Sequence, residues 1–94
     1  MGRISLAAKF YEDTENIPEE EGTWLVLYDF KGIKPSTKYW TNLKRIIKIA
    51  GEGSLVQYSV FTSKDKRAAA AVKRLARHYG AETIVYKVKK AESM

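Results

Sequence analysis

The sequence predicts an α+β domain in which two amphipathic helices cover a sheet, with strands and helices alternating along the chain. Three observations predict it. Residues 24–30, Trp-Leu-Val-Leu-Tyr-Asp-Phe, form an apolar run interrupted only by Asp29, as expected of a strand buried on both faces. Two later segments, stopped at Gly51 and Gly80, repeat apolar residues at helical spacing. Residues 54–62 and 83–88 are rich in β-branched and aromatic side chains, which suit a pleated, half-buried surface.

Each element has its own local reason. Residues 3–11 place Ile4, Leu6, Ala8 and Phe10 on one side and Ser5, Ala7 and Lys9 on the other, which predicts an extended N-terminal strand. Residues 12–23, with Glu-Asp-Thr-Glu-Asn and Pro-Glu-Glu-Glu-Gly, are an acidic loop. After the strand at 24–30, Lys31-Gly-Ile-Lys-Pro is a turn, and Pro35 with Ser36 or Thr37 supplies helix-start signals. That helix runs to about Ala50, where Gly51 and Gly53 stop it. Thr62, Ser63 or Asp65 can cap the second helix. Residues 83–88 make the last strand, followed by a polar tail. The expected division is residues 1–23 as N-terminal strand and acidic loop, 24–90 as the main domain and 91–94 as a tail.

Composition narrows the function classes. Ninety-four residues with 45% apolar and 12% aromatic side chains are one folded domain with a modest core. The absence of cysteine excludes disulfides, thiolate metal sites and cysteine nucleophiles. No apolar run approaches a membrane span, and Leu6 is incompatible with myristoylation of the opening Met-Gly. A soluble cytoplasmic protein with no membrane partner is the expectation.

Charge is divided unevenly. Residues 1–23 carry Arg3 and Lys9 against six carboxylates, a balance of −4, so residues 24–94 carry +10 and the formal total is +6. Such a surplus favours polyanions through phosphate neutralisation and counterion release. On the first helix Lys38, Lys44, Arg45 and Lys48 lie opposite an apolar side of Tyr39, Trp40, Leu43, Ile46, Ile47, Ile49 and Ala50. On the second, Lys66, Arg67, Lys73, Arg74 and Arg77 lie opposite Ala68, Ala69, Ala71, Val72, Leu75, Ala76 and Tyr79. Neither helix intersperses glutamates among its cations. Two basic faces of this kind predict nucleic-acid binding through phosphates, without base-specific readout.

Asp29 is the candidate catalytic and metal-binding residue. A carboxylate at the end of a buried strand must be solvated, paired or metal-bound. It can equally accept backbone N–H groups of the Lys31-Gly32 turn. One carboxylate does not build a metal site, but a second Asp29 across a two-fold axis would add a ligand. Other constellations are missing: His78 has no local acid partner, and Gly51-Glu-Gly-Ser lacks the lysine of a phosphate loop. Trp24 and Trp40 are expected to pack in or beside the core, and Tyr58 and Phe61 in the core or at a dimer contact.

Leu27-Tyr28-Asp29-Phe30, followed by a helix and then Val56-Gln57-Tyr58-Ser59-Val60-Phe61, resembles the small CRISPR adaptation endonuclease family, over roughly residues 24–88. The resemblance implies a ferredoxin-like βαββαβ sandwich that dimerises through its sheets, here with an extra N-terminal strand. It also implies a tight turn near Tyr58-Ser59 that splits 54–63 into two strands. The implied activity is metal-dependent endonuclease cleavage of RNA or DNA in antiviral defence, with paired Asp29 carboxylates holding Mg²⁺. Other family members are non-catalytic bridges in spacer-integration complexes, which implies an integrase partner. Where the family often carries arginines this chain has Thr41, Leu43 and Leu55; Lys34, Lys38 and Arg45 are the nearby cations that could stand in.

Overall fold

A computed structural model describes residues 5–88. The order of elements is α1 (Leu6–Glu12), β1 (Thr23–Asp29), α2 (Thr37–Ala50), β2 (Ser54–Gln57), β3 (Val60–Ser63), α3 (Lys66–His78) and β4 (Glu82–Val88). The four strands form one sheet in the order β2-β3-β1-β4, every neighbouring pair antiparallel. From Thr23 to Val88 this α+β arrangement is consistent with a ferredoxin-like topology.

The described part of the expected N-terminal strand is a helix. Ser5 caps α1, its hydroxyl accepting from the Ala8 amide. The Ala7 amide, a second donor left free by the helix start, gives its hydrogen to Asn42 Oδ1 at 3.1 Å. Alternation of Leu6, Ala8 and Phe10 over so short a run cannot separate the two periods. Tertiary contact decides, because Ala7, Tyr11 and Thr14 recur at helical spacing and turn toward α2 and α3. Ala7 and Thr14 are fully buried there. Residues 3 and 4 of the predicted strand lie outside the described residues.

The two longer helices begin and end at local signals. Ser36 caps α2 and Gly51 ends it at φ 71°, a left-handed conformation that glycine adopts without steric cost. Asp65 caps α3 through the Arg67 amide. Four of the five alanines of α3 (Ala68, Ala69, Ala71 and Ala76) are buried, and their small size lets the helix lie close to both β1 and α1. Beside it α2 buries Tyr39, Leu43 and Ile46. These meet Val26, Phe61, Val72 and Leu75 in one core between the helices and the sheet.

Strand β1 alternates in burial: Trp24, Val26 and Tyr28 face the helices, whereas Leu25 and Leu27 face away and are half-buried. The apolar run at 24–30 is therefore covered on one face only within a single chain. Register places Leu25 opposite Tyr86 and Leu27 opposite Ile84, so the uncovered face is apolar. Ile84 and Tyr86 there are 54% and 51% exposed.

The predicted split of 54–63 is present: β2 and β3 are joined by Tyr58-Ser59, with a bulge between Leu55 and Gln57. Such an extra residue twists the edge and re-aims the adjoining turn. Gly53, at the entry to β2, has φ 132°, and a Cβ there would stand 2.7 Å from Cζ of the buried Phe61 ring.

Candidate nucleic-acid interface

At the carboxyl end of β1 the Asp29 side chain folds back onto its own turn. Its Oδ1 accepts the Lys31 amide at 2.8 Å, which holds Lys31 in a left-handed conformation at φ 55°. Lys31 Nζ then lies 3.7 Å from Asp29 Oδ2 and 3.2 Å from Glu82 Oε2, the residue paired with Asp29 across the sheet. These carboxylates raise the Lys31 pKa, Glu82 contributing more than Asp29. Asp29 therefore acts as a turn cap and half of an exposed ion-pair cluster.

The expectation of a Mg²⁺ cofactor is corrected by this geometry. Among the described residues no three His, Cys, Asp or Glu side chains converge to hold a metal ion. Asp29 and Glu82 face each other at that end of the sheet, and a lysine ammonium stands between them. Hard divalent cations need several oxygen ligands, and these two share a competing cation instead.

The ten expected nucleic-acid-binding cations separate into two groups. On α3, Arg67 donates from Nε to Thr14 Oγ1 and from a terminal nitrogen to the Tyr11 carbonyl, both at 3.1 Å. Its guanidinium also lies 4.3 Å from the Tyr11 ring centroid. Arg74 donates to the Asp13 carbonyl, and Lys66 pairs with Glu20 at 2.9 Å. These three α3 cations therefore anchor the N-terminal segment. Lys73 is half-buried and Arg77 exposed on the remaining edge.

On α2 the arrangement is different. Lys38, Lys44, Arg45 and Lys48 are all exposed, and none pairs with a carboxylate among the described residues. At 100° per residue they occupy one arc of the helix, and at 1.5 Å rise they extend over about 15 Å. Lys34 is exposed on the loop just before this helix. The candidate interface is thus one helix and its leading loop, and the acidic segment covers part of the other basic face.

A hollow of about 610 Å³ lies between the acidic segment and the start of α3, lined by Glu19, Glu20, Glu21, Glu52, Lys64, Asp65 and Lys66. Glu20, Glu52, Asp65 and Lys66 among them are engaged in holding the fold. Glu20 bridges Lys87 and Lys66, which pull its pKa down to about 2. Glu52 accepts the Lys64 amide, and Asp65 accepts both the Arg67 amide and the Tyr11 hydroxyl.

Of the two aromatics expected in the core or at a dimer contact, Phe61 is in the core and Tyr58 is 84% exposed on the β2–β3 turn of the single chain. Its carbonyl accepts the Tyr28 hydroxyl at 2.7 Å. The Tyr39 hydroxyl is buried beside Tyr28 without a well-formed hydrogen bond, and burial raises the pKa of both phenols. Asn42 ties α1 to α2, and its one signal in the sequence is a polar residue on the apolar arc of α2.

Compared with known proteins, the chain matches no family model, no curated protein and no solved structure.

Proposed function

We propose that the protein binds nucleic acid without cutting it, as a homodimer whose α2 cations track the phosphate backbone. The observation that carries this reading is the row Lys38, Lys44, Arg45 and Lys48, exposed and without carboxylate partners among the described residues. Unpaired cations on a rigid helix attract phosphates and release counterions from them. Nothing in the row is shaped to read base edges, so affinity is expected to be largely indifferent to sequence.

The uncovered sheet face supports the dimer. Leu25, Leu27, Ile84 and Tyr86 form an apolar surface that a second copy would bury by packing sheet on sheet. In such a dimer the strand at 24–30 is covered on both faces, as its composition predicts. A bridging role beside an integrase in CRISPR adaptation is the biological setting suggested by the Tyr28-Asp29 and Gln57–Phe61 resemblance, in the cytoplasm.

The test is fluorescence anisotropy with labelled duplex DNA and RNA over a salt series, with mass measured by light scattering. Changing Lys44, Arg45 and Lys48 to Ala is expected to weaken binding and flatten the log K against log salt slope by about one unit per cation. Asp29→Asn leaves binding unchanged. Affinity indifferent to salt and to the triple change would overturn the interface, and a monomer at working concentration would overturn the dimer.

A further inference from the structure

Beyond the end of β1, the β2–β3 turn, the 30–35 loop and the start of α2 enclose a second cleft, of about 320 Å³. Its walls include Tyr28, Phe30, Pro35, Trp40 and Tyr58, with Lys34 among the lining side chains. We propose that this cleft is a subsite for one unpaired nucleotide of a single-stranded nucleic acid, the base stacking on Tyr58 and the phosphate held by Lys34. The proposal rests on the phosphate-tracking role of α2 for its backbone affinity, and it adds the class of nucleic acid preferred.

The feature that calls for a ligand is Tyr58. A large aromatic that is 84% exposed contributes little to the core, so most of its ring surface is bare. The residue is nevertheless fixed at two points. The Tyr28 hydroxyl, on a nearly fully buried side chain, donates to its carbonyl at 2.7 Å. Its ring meets the Trp40 ring edge to face, with centroids 5.3 Å apart at 90°. A base that stacks there need not order the platform first, which lowers the entropic cost of binding. The bulge between Leu55 and Gln57 helps aim this turn over the cleft.

Size and charge select the occupant. The cleft has room for a base and its sugar, but a base inside a duplex cannot present its face to it. Unpaired strands, in contrast, are commonly held by aromatic platforms beside a cationic groove. Lys34 stands at the cleft, and Trp40 is one turn before Lys44 on α2, so the cleft opens directly onto the cation row. Asp29 also lines the cleft, with one oxygen committed to the Lys31 amide and the other facing the Lys31 ammonium. An apolar peptide would leave this adjoining cation row without a partner.

The experiment compares anisotropy titrations of one labelled oligonucleotide as a single strand and as its duplex. Tyr58→Ala is expected to lower single-strand affinity about 5- to 150-fold, the range of one lost stack, and to leave duplex affinity and the salt slope unchanged. Tyr58→Phe keeps the stack and restores binding. The α2 triple change lowers both affinities and flattens both slopes, which separates failure of the cation row from failure of the subsite. The proposal is overturned if Tyr58→Ala leaves single-strand affinity within twofold, or weakens strand and duplex alike. It is equally overturned if the wild-type protein binds no nucleic acid, if only an acidic peptide occupies the cleft, or if Tyr58→Ala acts by changing the oligomeric mass.

Discussion

Arg67 closes over the ring of Tyr11 and, from the same guanidinium, bonds the Tyr11 carbonyl, so one α3 side chain grips both the face and the backbone of an α1 residue. The contact spans 56 positions of sequence. It turns a cation expected on a nucleic-acid surface into the main clasp of the N-terminal helix.

Arg67→Ala is expected to destabilise the fold by about 1–3 kcal/mol through loss of two hydrogen bonds and the stacked cation. Arg67→Lys should recover less than half, since an ammonium cannot reproduce the planar fork. Denaturant unfolding gives the magnitude, and hydrogen exchange should show α1 amides losing protection before those of β1.

Gly53→Ala forces a Cβ to within 2.7 Å of the buried Phe61 ring at φ 132°. At Gly32, φ 81°, no atom lies within 4 Å of the added carbon, so only backbone strain is incurred. Thermal unfolding should therefore show a loss of about 1 kcal/mol for Gly32→Ala and about 2–4 for Gly53→Ala. Equal losses would show that the Phe61 ring yields.

Asp29→Ala removes the acceptor for the Lys31 amide and should cost about 0.5–2 kcal/mol, whereas Asp29→Asn keeps an acceptor and should cost less. Melting temperature should be the same in Mg²⁺ and in a chelator for wild type and both variants. A Mg²⁺-dependent rise in wild type that Asp29→Asn abolishes would restore the carboxylate as a ligand.

Glu20 lies between Lys87 and Lys66 and titrates near 2 instead of its ordinary 4.5. Its depressed value means the ionised form is favoured in the folded protein. The associated stability is present above the ordinary value and is lost as pH falls from about 4.5 toward 2. The pairs are solvent-exposed, so salt should screen them and move the midpoint upward. Carboxyl NMR titration at low and high salt reads both effects, and a midpoint near 4.5 at low salt would disprove the double pairing.

Much of the middle of the chain is legible locally. Ser36, Gly51, Asp65 and Gly80 bound the two long helices because capping and left-handed glycine conformations depend on a few neighbouring residues. The strands at 24–30, 54–63 and 83–88 follow from β-branched and aromatic composition. The candidate site is legible only in part. Every cation of α2 could be placed on its outer arc from periodicity, but the same periodicity placed Arg67 and Arg74 on an equivalent arc of α3. What removes them from that surface is the α1 segment, which lies across α3.

By itself, the sequence determined the alternation of strands and helices from residue 24 onward and the polar and apolar arcs of both long helices. Those outcomes rest on interactions within a few residues. Tertiary structure decided that residues 6–12 are helical, that Arg67 is a clasp, and that Tyr58 stands in solvent. It did so because the fully buried Ala7 and Thr14, the Asn42 bond to the Ala7 amide and the Tyr28 bond to the Tyr58 carbonyl join positions 30 or more residues apart, or pack against elements that far away.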